Sequence, residues 1–149
     1  FTANLIRNFW ASAVIYCGHF TEDAEMFEDN IENETRADWY LRQIKGSSNF
    51  TGGNVIHFMS GNLSHQIEHH LFPDMPANRY RDVSPQVQAL CAEYGQHYNK
   101  ASFAKQFASV WVRLAVHSLP NNVVDTIGHS TSSVKQRVSR IFSRQAKAV

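Results

Sequence analysis

Apolar side chains recur at helical intervals along most of this chain. The run Phe9-Trp10-Ala11-Ser12-Ala13-Val14-Ile15-Tyr16-Cys17, inside a first stretch from Ala3 to Phe20, is about half of the roughly 20 apolar residues that a bilayer-crossing helix needs. Asn4, Arg7 and Asn8 interrupt its start, so it is not a complete span. Trp39, Tyr40, Leu41 and Ile44 stand among Arg36, Asp38, Arg42 and Lys45, an aromatic and basic mixture suited to a helix at a membrane interface. Gly52-Gly53-Asn54 makes a break, and a helix is predicted from Val55 to Leu71, stopped by Pro73. Ser84-Pro85, then Val87, Leu90, Cys91 and Tyr94, then Gly95, read as a cap, a first-turn proline, an apolar face and a glycine stop. Ser102 caps a last well-marked helix with Phe103, Phe107, Val110, Trp111 and Leu114 on one face, ending before Pro120. The layout predicts an all-α fold, with the last two helices as a small cap.

Composition narrows this picture only slightly. With 149 residues, 43% of them hydrophobic, the chain has the size of one ordinary domain and is too apolar for a disordered polymer. It starts at Phe1 inside an apolar stretch, so sequence upstream is expected, and no secretory leader pattern is present. Cys17 and Cys91 match no metal spacing and read as free thiols of a reducing compartment. The net charge of +1 hides a polarity along the chain. Glu22, Asp23, Glu25, Glu28, Asp29, Glu32 and Glu34 crowd one segment, which lacks the glycine of a calcium loop and reads as a solvated face. After Asp125 only cations follow: Lys135, Arg137, Arg140, Arg144 and Lys147. In residues 121–149, opened by Ser130-Thr131-Ser132-Ser133, the apolar positions Val134, Val138, Ile141 and Phe142 suggest an amphipathic helix on anionic lipid. No stacking aromatics accompany the basic residues, so nucleic acid is not an expected partner.

The informative stretch is His65-Gln66-Ile67-Glu68-His69-His70. At about 100° per residue, His65, His69, Gln66 and His70 fall at about 0°, 40°, 100° and 140° around a continuous helix, while Ile67 and Glu68 point away. Imidazoles suit iron and zinc, and three on one helical face are hard to explain as core histidines that merely hydrogen-bond. Two metal readings follow. His65-x-x-Glu68-His69 fits the inverted H-x-x-E-H pattern of zinc peptidases, but His70 has no role there and the acids that follow, Asp74, Asp82, Glu93 and Asp125, offer no obvious distant ligand.

The second reading rests on a longer match. Gly61-Asn62-Leu63-Ser64-His65-Gln66-Ile67-Glu68-His69-His70-Leu71-Phe72-Pro73 resembles the third histidine box of membrane fatty-acid desaturases, whose core is His-or-Gln-x-x-His-His, here Gln66, His69 and His70. The resemblance extends through Asn78-Arg79-Tyr80, Trp39-Tyr40-Leu41-Arg42-Gln43 and Tyr16-Cys17-Gly18-His19-Phe20, and covers roughly residues 5–120. It implies that residues 1–120 are the C-terminal part of a helical integral-membrane desaturase domain with a cytosolic helical cap, the site and the C-terminus lying on the cytoplasmic side, and 121–149 a basic tail. It further implies two iron ions held by histidines from three boxes, O₂, and electrons from a ferredoxin or cytochrome-b5-type donor with its NAD(P)H reductase. Expected ligands in this chain are His69 and His70, then Gln66 as a weaker partner, His19 as the extra histidine at a helix end, and His65 as an additional candidate. The implied reaction is introduction of a cis double bond into a fatty acyl chain carried as acyl-CoA or acyl-lipid. The first two boxes, H-x-x-x-(x)-H and H-x-x-H-H, are absent from these residues, so the chain alone is expected to be inactive. The rival expectations are zinc hydrolysis and a non-enzymatic module that binds a membrane surface.

Overall fold

A computed structural model describes residues 1–27 and 34–120. The chain divides into two units, Phe1–Arg113 and Leu114–Val149. The first carries all the chemistry discussed below. The proposed amphipathic tail helix and the middle of the acidic stretch lie outside the described residues.

The fold is mostly helical, as the apolar spacing predicts. Helix α1 (Thr2–His19) buries Ala13, Val14, Cys17 and Gly18 near its C-terminal end and leaves Leu5, Ile6, Phe9 and Ile15 exposed. Among the described residues no helix is long and apolar enough to cross a membrane. Helix α2 (Arg36–Lys45) begins with a reciprocal cap: Thr35 Oγ1 accepts from the Asp38 amide while the Asp38 carboxylate accepts from the Thr35 amide. Arg42 of α2 grips Glu34 through two bonds of 2.7 and 2.8 Å, which fixes the approach to the helix.

The expected single helix over Val55–Leu71 is broken. The structure has α3 (Gly53–Met59) and α4 (Gln66–Leu71) instead, joined by a turn in which Gly61 and Asn62 take positive φ angles of 59° and 62°. Glycine adopts that conformation freely and asparagine more readily than most residues. The apolar period ran across a reversal that these two residues encode. Val55, Phe58 and Met59 consequently do not back the histidines; they are exposed.

Helix α5 (Tyr80–Glu93) starts four residues before the expected cap and is preceded by a 3-10 turn over Ala77–Arg79. Ser84 is buried inside it and shares a 2.9 Å hydrogen bond with the Tyr98 hydroxyl. Pro85 therefore sits within the helix, where its ring nitrogen cannot donate to the carbonyl of Arg81. The glycine stop is as expected, Gly95 lying just past the end with φ of 63°. Helix α6 (Phe103–His117) is capped by Ser102, whose hydroxyl accepts from the Lys105 amide at 3.3 Å.

Two short strands were not anticipated. β1 (Asn49–Thr51) and β2 (Lys100–Ser102) pair in parallel, Asn49 opposite Lys100 and Thr51 opposite Ser102. They join segments some fifty residues apart and divide the core into two clusters. Ile44, Ile67, Leu71, Val87 and Cys91 pack α2, α4 and α5 together; Val14, Cys17 and Phe50 pack α1 on β1, flanked by Trp10, Phe103 and Phe107. Both cysteines are free and buried. The short helix α4 is held between the two clusters.

Candidate metal centre

Helix α4 is only 6 residues long, too short to be stable by itself, so its position depends on side chains that grip it. The main grip is Asn49. Its Oδ1 accepts from the Ile67 amide at 2.9 Å, satisfying a donor in the first turn that has no partner within the helix. Its amide nitrogen donates to Glu68 Oε2 at 2.7 Å and to the Tyr98 hydroxyl at 2.6 Å. Tyr98 in turn donates to Glu68 Oε1 at 2.7 Å. The Glu68 carboxylate, 0% exposed, thus has a donor on each oxygen, as a buried anion requires. Burial and the neighbouring carboxylate push the Tyr98 hydroxyl pKa up, so it remains a donor. Glu68 points away from His69 and His70, as the helical arithmetic predicts, and it serves as the anchor for that back face.

On the front face, the structure brings together His19, Gln66 and His70. The Gln66 amide nitrogen lies 3.0 Å from His19 Nε2 and 3.3 Å from His70 Nε2, and the two imidazoles meet edge to face at 4.9 Å. His70 Nδ1 is 3.1 Å from Gln43 Oε1, an oxygen that can only accept, so the proton sits on Nδ1 and the Nε2 lone pair points inward. The Gln66 amide nitrogen can only donate, so His19 Nε2 also faces it with its lone pair. Two imidazole lone pairs therefore converge on one place, where the two hydrogens of the Gln66 amide now meet them.

His69 stands at the edge of this group. Its ring lies 5.7 Å from that of His70, and its Nδ1 is 3.0 Å from the Tyr80 hydroxyl. Burial, followed by the proximity of His19 and His69, lowers the His70 pKa from 6.5 to about 4. The imidazole is thus neutral near pH 7, the form that ligates metal. Among the described residues no group of three or more His, Cys, Asp or Glu is gathered to hold a metal ion by itself. The donor set fits a cation as a partial wall: two inward lone pairs, one neutral amide, and a third histidine at hand.

Gly18 makes this approach possible. A Cβ at that position would stand 2.9 Å from Gln66 Cγ and 3.1 Å from its Cδ, closer than packed carbons tolerate.

The structure does not bring His65 to the group. It is the residue before α4, with φ −103° and ψ 59°, so the 100° step that aligned it with His69 does not apply. Its ring instead stacks on His57 at 5.2 Å, tilted by 6°. The zinc-peptidase pattern gains no support, because His65 and His69 face different neighbours and Glu68 is sealed in the core.

Several contributing residues escaped the ligand list. Gln43 and Tyr80 orient His70 and His69, and both stand in the segments flanking the box that carried the resemblance. Asn49 left no local signal, because its partners are 18 to 49 residues away.

With that geometry in place, the relatives of the chain are informative. Residues 1–102 match the family model described as fatty acid desaturase. Among curated proteins, the chain is 49% identical over 147 residues to an NADPH-dependent stearoyl-CoA 9-desaturase of Mycobacterium tuberculosis, a match covering 95% of this chain and 34% of that protein. It is 37% identical over 97 residues to fatty acid desaturase 3 of Bos taurus, covering 58% of this chain and 22% of the other, and 33% identical over the same length to the Homo sapiens protein of that name. No solved structure matches significantly. The chain belongs to the fatty acid desaturase family. It spans about a third of the length of the mycobacterial relative.

Proposed function

We propose that this chain forms one wall of a di-iron centre that, in the full-length protein, introduces a cis double bond into a fatty acyl chain. The observation that carries the proposal is the convergence of His19 Nε2 and His70 Nε2 on the Gln66 amide, with His70 held from behind by the Gln43 side-chain oxygen. His19, His69 and His70 would hold iron, with Gln66 as a weaker ligand or as a hydrogen-bonding neighbour of one. Iron bound there, supplied with O₂ and two external electrons, provides the oxidising power needed to take two hydrogens from unactivated methylenes, which no side chain can do.

The chain's own residues perform the supporting work. Gln43 keeps the His70 ligand nitrogen unprotonated and aimed. Tyr80 steadies the His69 ring. Glu68, Asn49 and Tyr98 hold α4 from behind so that the ligands cannot drift. The rest of the ligand shell belongs to sequence outside these residues.

The name of the mycobacterial relative favours an acyl-CoA substrate and NADPH as the ultimate reductant, the electrons arriving through a ferredoxin or cytochrome-b5-type carrier. The exposed apolar residues of α1 favour attachment to a membrane, with the centre on its cytoplasmic side. Metal analysis of the full-length protein tests the reading: two irons are expected, while a single zinc or no metal would overturn it.

A further inference from the structure

At the opposite end of α4 from His70 lies a second constellation, which the metal centre does not use. A pocket of about 290 Å³ is lined by Thr51 and Lys100 from the paired strands, His57 from α3, His65 before α4, and Arg81 and Gln88 from α5. No acid lines it. His65 is 8% exposed, and its Nε2 is buried with no hydrogen-bond partner among the described residues, an unfavourable state for a polar atom. Its Nδ1 is 4.0 Å from Glu68 Oε2, beyond hydrogen-bond reach, so Glu68 does not satisfy the ring.

The other groups are arranged as donors. His57 Nδ1 is 2.6 Å from the Ser64 hydroxyl; where that hydroxyl donates, His57 offers an Nε2–H to the pocket. Arg81 is steadied by Asn54 Oδ1 at 3.2 Å. Burial lowers the pKa values of both histidines, and Arg81 and Lys100 lie close enough to lower them further, opposed at His65 by the Glu68 carboxylate, so two cations and two imidazoles surround one space. A cation is repelled there, whereas an anion with several acceptor oxygens would meet the guanidinium, the ammonium and an imidazole N–H.

We propose that this pocket binds a phosphate group. Carboxylates offer two oxygens; the phosphate tetrahedron offers three or more, matching donors that come from three separate elements. The source is either the phosphate of a nucleotide-bearing carrier such as coenzyme A, a phospholipid headgroup, or free phosphate. The pocket itself stands independently of the desaturase reading.

Calorimetric titration of the full-length protein at fixed ionic strength tests this with three ligands: coenzyme A, inorganic phosphate, and phosphatidylcholine vesicles containing phosphatidylglycerol. Saturable binding of at least one is expected. Tightest binding of coenzyme A assigns the carrier, tightest binding of the vesicles assigns the lipid, and equal binding of coenzyme A and inorganic phosphate assigns the free ion. Arg81→Gln and Lys100→Gln, both at exposed side chains, should each weaken binding about tenfold, the scale of one charge-assisted hydrogen bond. Arg79→Gln, outside the pocket and paired with Asp82, should leave it unchanged. Absence of saturable binding of all three, or equal weakening by Arg79→Gln, would overturn the proposal, provided circular dichroism shows the variants folded.

Discussion

The two histidine groups at the ends of α4 make an instructive pair. His19 and His70 both turn Nε2 toward the Gln66 amide, which can only donate, so two lone pairs converge there, and His70 has its other nitrogen committed to the Gln43 side-chain oxygen. His57 and His65 stack face to face beside Arg81 and Lys100, with one nitrogen facing a hydroxyl and another facing nothing. The side chain is the same in both places. What differs is the partners of the ring nitrogens and the charge of the neighbours, and on the two proposals above these suit one group to a metal and the other to an anion.

The sharpest way to break this contrast is His70→Ala, which should abolish iron loading and desaturation in the full-length protein, read by metal analysis and product formation. Glu68→Ala comes next. It removes the buried acceptor of Asn49 and Tyr98, and should destabilise the protein by about 2–4 kcal/mol in chemical denaturation, lowering iron occupancy as a consequence. Gly18→Ala should displace Gln66 and weaken iron binding about tenfold, while shifting stability by less than about 1 kcal/mol; this separates positioning from folding.

A smaller effect follows from the low pKa of His70. Its folded value, about 4, is below the unfolded 6.5, so the unfolded state takes up the proton first as the solution is acidified. The stability this group contributes is present above pH 6.5 and is lost progressively down to about pH 4. Melting temperatures of metal-free protein across that window should fall with pH, and His70→Gln should flatten the slope. The smallest effect is expected from His65→Gln, which should retain two irons; loss of iron there would erase the distinction between the two groups.

Much of this arrangement was legible from the residues. The box sequence pointed to His69, His70 and Gln66, and the resemblance around His19 marked a histidine whose ring the structure places against His70, across 51 residues of chain. The misreadings share a cause. Periodicity carried a helix through Gly61-Asn62 although both residues favour left-handed backbone, and the same extension put His65 on the wrong face. Ser84-Pro85 has the composition of a helix start, yet Ser84 is recruited by Tyr98, a tertiary partner that outweighs local preference. Strands of three residues are too short to show alternation, and the pairing of Asn49 with Glu68 exists only once the chain has folded back on itself.

That folding back has a consequence for how the protein is made. Asn49 reaches its full set of partners only when Tyr98, Asn99 and Gln106 have joined it, since the Gln106 amide donates to the Asn49 carbonyl at 3.2 Å and the Asn49 amide to the Asn99 carbonyl at 2.8 Å. During synthesis the histidine box leaves the ribosome roughly three dozen residues before its last clamp does. Until then α4 is unsecured, so under the proposed function the centre would mature only after the later segment emerges, and metal delivered too early would meet histidines that have not yet been aimed.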